Sequence, residues 1–167
     1  MNHLEQLVTE WLQYKKYYVR TSVQVGLRHA GGFEGELDVV GYNFASKHLI
    51  HVECSLDANS WQERDKVFSK KFERGRKFVK TVFEGFTVPN APDQVALLQF
   101  ASGNRQQIGG GRVITGKQFI REIWDGLRGT SPASGAVPST LPLVRTLQLA
   151  AAAQPTPSNP EQRLIPQ

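Results

Sequence analysis

The sequence predicts an α/β fold, an α+β arrangement with one mixed sheet and helices on its faces. Three observations carry this. Apolar residues recur three and four apart in three stretches. They alternate, or run on continuously at strand length, in four others. The stretches follow one another in the order α-β-β-β-α-β-α, which layers helices against a sheet.

Residues 3–18 read as a helix, with Leu4, Leu7, Val8, Trp11, Leu12 and Tyr18 as its apolar stripe. Residues 19–27 alternate and are rich in β-branched side chains, which suits a strand. A glycine-rich turn over 29–35 leads to a second strand, 36–42; a short turn over 43–47 leads to a third, 48–56. Asn59 or Ser60 is placed to cap a long helix reaching Phe83. Pro89 and Pro92 mark a loop, and the nearly continuous apolar run 95–101 predicts a buried central strand. Gly109, Gly110 and Gly111 form a turn, and Thr115 caps a last helix over 116–127, with Phe119, Ile120, Ile123, Trp124 and Leu127 facing inward.

Composition sets the limits. The chain has 167 residues, 20 Lys+Arg against 15 Asp+Glu, and a pI near 9.5, so an anionic partner is expected. The single cysteine, Cys54, excludes an internal disulfide framework and a Cys-rich zinc site. No apolar run approaches the ~18 residues of a membrane span, and residues 1–10 lack a basic start and apolar core. A cytoplasmic location is the expectation. Residues 129–167 differ in character: they hold seven of the nine prolines and no aromatic residue. They are expected to form a Pro/Ala-rich, mostly disordered tail after a folded domain of residues 1–128. Residues 141–153 are the exception, apolar enough for a short helix able to dock on the domain or on a partner.

The informative residues lie on the second and third strands. Alternation places Glu36 and Asp38 on one face, and His51, Glu53 and Ser55 on one face of the next strand. Asp38 is flanked by Leu37, Val39 and Val40, and Glu53 stands in a run that otherwise reads as core. Half-buried carboxylates that converge need a cation or a shared proton to coexist. A hard divalent ion held by one or two carboxylates and water is the usual solution.

Gly35-Glu36-Leu37-Asp38-Val39-Val40, a short turn, then Leu49-Ile50-His51-Val52-Glu53-Cys54-Ser55 resembles the PD-(D/E)XK nuclease superfamily, the restriction-endonuclease-like fold. The resemblance spans about residues 3–101 and agrees with the αβββαβ order. It implies Asp38 and Glu53 as metal-binding carboxylates for Mg²⁺ or Mn²⁺, and Glu5 on the first helix as an accessory acid. It implies phosphodiester hydrolysis, with DNA the expected substrate. The motif's lysine, two residues after the glutamate, is Ser55 here. Some members carry that lysine on the following helix, where Lys66, Lys70 and Lys71 stand. A helical wheel puts Lys71 within roughly 60° of the buried stripe of Trp61, Phe68, Phe72, Val79 and Val82, so Lys71 is expected to reach the sheet. The catalytic set expected on this basis is Asp38, Glu53, Ser55, Lys71, Glu36 and Glu5.

The same helix is basic. Between positions 64 and 80 eight Lys and Arg oppose only Asp65 and Glu73. Lys66, Lys70, Arg74, Lys77 and Lys80 form an outward stripe suited to phosphates, or simply a solvated face. His29, His48 and His51 lack a metal-ligand spacing, and Cys54 reads as a small core residue. Three functions remain open: a metal-dependent nuclease, a non-catalytic nucleic-acid-binding module, and a protein-interaction domain whose tail is the contact segment. A homodimer would suit cutting of two strands.

Overall fold

A computed structural model describes residues 1–101, 104–153 and 164–165. The chain forms helix α1 (His3–Tyr14), strands β1 (Tyr18–Leu27), β2 (Phe33–Asn43) and β3 (His48–Ser55), helix α2 (Trp61–Val82), strands β4 (Asp93–Leu98), β5 (Gln107–Ile108) and β6 (Gly111–Thr115), and helices α3 (Gly116–Leu127) and α4 (Pro142–Ala152). The strands form one mixed sheet in the order β1-β2-β3-β4-β6-β5. β1, β2 and β3 are an antiparallel meander, β4 lies parallel to β3, β6 lies parallel to β4, and β5 closes a hairpin on β6. This is the expected mixed α/β architecture with an added hairpin. Its turn, Gly109-Gly110, adopts positive φ at both residues, which only glycine does without strain.

Each main helix starts where its first backbone N–H groups find a side-chain acceptor. Asn2 with Glu5, Ser60 with Glu63 and Thr115 with Gln118 form reciprocal capping boxes. α4 has no such residue of its own, since its N-cap is Leu141. Glu10 of α1 does the capping instead, its Oε2 accepting from the N–H groups of Leu143 at 2.8 Å and Val144 at 3.1 Å.

The sheet divides the interior by strand alternation. One face carries Val39, Ile50, Val52, Cys54, Val95, Leu97 and Ile114 and is covered by α1, α3 and α4. The other lies under α2, where two apolar patches form. Val79 and Val82 pack on Leu37, Val40 and Leu49 at one end of the helix, and Phe68 and Phe72 pack on Ala96, Leu98 and Val113 at the other. Between the patches the sheet presents His51, Glu53 and Gln94, all buried and polar.

The short helix expected within residues 141–153 forms as α4 and docks on the domain. α4 packs against α1 and α3, and Val137, Leu141 and Val144 are buried in the same core. The physical reason is an apolar face on α4 that joins the core containing Leu7, Trp11 and Phe119. Leu164 is also buried there, its N–H donating to Glu122. The rest of the expected disordered tail, 154–163 and 166–167, lies outside the described residues.

Candidate active site

The site forms where β2 and β3 part. Their ladder ends at the pair Val39–Val52. One step further, Asp38 and Glu53 stand opposite each other, and side chains take over from the backbone. Cys54 N–H donates to Asp38 Oδ2 at 2.9 Å, and Asp38 N–H points to Glu53 Oε1 at 3.5 Å. Each carboxylate thereby satisfies a backbone donor released by the parting strands.

α2 supplies the third member. Lys71 Nζ lies 2.6 Å from Glu53 Oε2, and 3.1 and 3.3 Å from the two oxygens of Asp38. One ammonium thus seats on both carboxylates. Glu53 is fully buried, whereas the Lys71 side chain is 28% exposed, so the cluster opens to solvent past the lysine. Burial, followed by the charge of Glu53, pushes the Asp38 carboxyl up to about 7 against the pull of Lys71. Burial also opposes charge on Glu53, but hydrogen bonding from His51 and the charge of Lys71 outweigh it, and Glu53 falls to about 2. Lys71 is raised: burial disfavours its charge, yet Glu53 and Asp38 hold its proton on. Within the cluster, charge is therefore favoured on Glu53 and on Lys71 and disfavoured on Asp38.

Behind Glu53 lies a buried hydrogen-bonded relay through His51. Gln94 Nε2 donates to the carbonyl of Phe72 at 2.8 Å, and Gln94 Oε1 accepts from Arg76 at 2.6 Å. These two bonds orient the amide, leaving its second N–H toward His51 Nδ1 at 3.3 Å. With Nδ1 an acceptor, the proton sits on Nε2, which donates to Glu53 Oε1 at 2.7 Å. The helix reaches this close because residue 75 is glycine. A Cβ there would fall 2.2 Å from His51 Nδ1 and 3.0 Å from Gln94 Nε2. The sequence signal was present: a lone Gly75 inside a helical pattern, and His51 in register with Glu53.

The other expected site residues do not join this cluster. Leu37 packs under α2, and Asp38 also turns toward α2, so alternation slips between them. The slip is matched on β1 by Ser22, opposite Asp38, at φ +50. Glu36 is consequently exposed and off the face that bears Asp38; its backbone carbonyl accepts from Arg74. Glu5 serves the α1 cap, accepting from Asn2 N–H at 3.0 Å. Ser55 turns its hydroxyl to Asp57 Oδ2 at 2.5 Å, and Asp57 Oδ1 accepts from the buried Arg64 at 3.0 Å. Of the basic stripe, Lys77 pairs with Glu34 at 2.9 Å and Lys80 donates to Asn90 at 2.8 Å. Arg74 packs its guanidinium against Gly35, while Lys66 and Lys70 are exposed.

Among the described residues, no three His, Cys, Asp or Glu side chains form a metal-ligand group. Asp38 and Glu53 are a two-carboxylate donor set. Mg²⁺ is commonly held by one or two carboxylates, with water and phosphate oxygens completing its shell, so the donor chemistry fits. The Lys71 ammonium shows that these oxygens already converge on a cation. No protein-family model, curated protein or solved structure matches this chain.

Proposed function

We propose that this protein is a divalent-metal-dependent nuclease of the PD-(D/E)XK type, hydrolysing phosphodiesters in DNA. The observation that supports this reading is the convergence of Asp38, Glu53 and Lys71 from β2, β3 and α2 on one point open to solvent. Asp38 and Glu53 would hold the ion, which supplies positive charge for the phosphate and a water of lowered pKa. Lys71 takes the place left by Ser55: its ammonium, kept protonated by the two carboxylates, offsets charge on the phosphate and orients the attacking water. His51 holds Glu53 in its orientation from behind.

A second reading is favoured by the same ammonium, because an ion pair that already balances the carboxylates is stable without metal. On that reading the protein binds nucleic acid without cutting it. Plasmid and branched DNA incubated with Mg²⁺ or Mn²⁺ separate the two. Nicking that falls at least ~100-fold in Asp38→Ala and in Glu53→Ala is the expected result. Cutting that survives both changes overturns the assignment. Salt-dependent retention of DNA with no cutting by the unaltered protein supports the second reading.

A further inference from the structure

A second feature lies just past the carboxylates. α2 leaves β3 toward one face of the sheet, and α3 leaves β6 toward the other. Beyond the carboxyl ends of β4 and β6 this leaves a cleft of about 860 Å³. Such crevices are where open α/β sheets take ligands. The Gln99 N–H on its wall donates to the carbonyl of Ser55 at 3.0 Å, and Ser55 is two residues from Glu53, about 7 Å along the strand.

The lining is aromatic, amide-rich and cationic. Trp61 and Phe100 stand in it with Asn59, Gln99, Asn104 and Lys117, and none of the described lining residues is acidic. Phe100 is 55% exposed, an aromatic ring presented to solvent. The Trp61 ring carries Arg105 at 5.4 Å and Arg64 at 5.7 Å. Arg64 is committed to Asp57, whereas Arg105 is exposed. The two helix starts bordering the cleft are already capped by Ser60 and Thr115, so free backbone N–H groups are not the attraction. Aromatic faces, a guanidinium plane and amides beside a lysine are what a single-stranded nucleic acid requires: bases stack on the rings or on the guanidinium, and the lysine meets a phosphate.

We propose that this cleft holds unpaired nucleotides of the DNA strand adjoining the phosphate at Asp38 and Glu53, stacked on Trp61, Phe100 and Arg105. The proposal deepens the nuclease reading, and rests on it for the class of ligand. It selects DNA with a single-stranded stretch, such as an overhang or flap, over blunt duplex.

Binding is measured by fluorescence anisotropy with the full chain in EDTA, so that cutting plays no part. The probes are a labelled single strand and a blunt duplex of the same sequence. Trp61→Ala and Phe100→Ala are each expected to weaken single-strand binding about tenfold and duplex binding less than about twofold. Trp61→Phe should retain most of the affinity, because the stacking surface remains. Lys117→Ala should lower the salt slope on the single strand by about 0.7. The proposal is overturned if neither aromatic change affects single-strand binding, if both probes lose equally, or if the unaltered protein does not bind the single strand. Phe100, being exposed, keeps the test valid should Trp61→Ala impair folding. The plasmid assay fails or succeeds independently: selective binding with no cutting leaves this proposal standing and removes the nuclease reading.

Discussion

At the scale of single residues, the site is a balance of three charges. Asp38 and Glu53 cannot both be ionised in a buried setting unless a cation sits between them, and Lys71 is that cation. Replacing it by a neutral side chain leaves two carboxylates facing each other. Lys71→Met is therefore expected to lower stability by about 3 kcal/mol in EDTA, the cost of breaking a mostly buried pair. Millimolar Mg²⁺ should restore much of that loss, because the ion takes over the balance. Thermal melts with and without Mg²⁺ check this; a variant as stable as the original protein in EDTA would show that the charges are not coupled. Ser55 illustrates the converse. Its hydroxyl is committed to Asp57, so it has no part in that balance.

At the scale of elements, what matters is how helices and strands are fastened to one another. α2 approaches β3 at Gly75, and this approach brings Lys71 over the parted ends of β2 and β3. Asp93 fastens the sheet at the start of β4. Its carboxylate pairs with Arg112 of β6 at 2.7 Å and with His48 of β3 at 3.4 Å, so three strands meet on one charge. Burial opposes ionisation of Asp93, but the bonds from His48 and Arg112 prevail and bring it down to about 2. The folded value lies below the unfolded one, so its contribution is complete above about pH 4 and is lost as pH falls toward 2. The stability difference between the unaltered protein and Asp93→Asn is expected to be about 2 kcal/mol near pH 6 and to shrink steadily below about pH 4. Denaturant unfolding at several pH values tests this; a difference independent of pH would mean that the charge contributes nothing.

At the scale of the whole molecule, α4 belongs to the domain. It covers α1 and α3, takes its N-terminal cap from Glu10, and buries Val144 among Leu7, Trp11 and Phe119. A chain ending at Arg128 is expected to lose at least ~10 °C in melting temperature and to bind a hydrophobic dye, since Trp11 and its neighbours would meet water. Unchanged cooperative melting of that shortened chain would return α4 to the status of a tail. Composition alone does not show that α4 belongs to the domain. Seven prolines and few charges resemble disorder by composition, but the apolar positions on α4 stabilise only in contact with α3 and with α1, the latter more than a hundred residues away.

By itself the sequence determined what is local. Period-two and period-3.6 patterns placed the meander, α2, β4 and α3; the resemblance of the Asp38 and Glu53 segments to a nuclease motif then directed attention to the helix lysines, and wheel geometry chose Lys71 among them. Gly109-Gly110-Gly111 announced a turn, but the β5 and β6 strands around it are too short to show periodicity. Tertiary structure alone decided the rest. The slip between Leu37 and Asp38, which carries Glu36 off the site, lies across from Ser22, which breaks the regular β1 backbone at φ +50. The relay from Arg76 through Gln94 and His51 to Glu53 joins α2, β4 and β3, and the Trp61–Phe100 cleft exists because two helices leave the sheet in opposite directions. Strand and helix periods are properties of a segment, whereas the partner of a buried polar group is set by what packs against it from elsewhere in the chain.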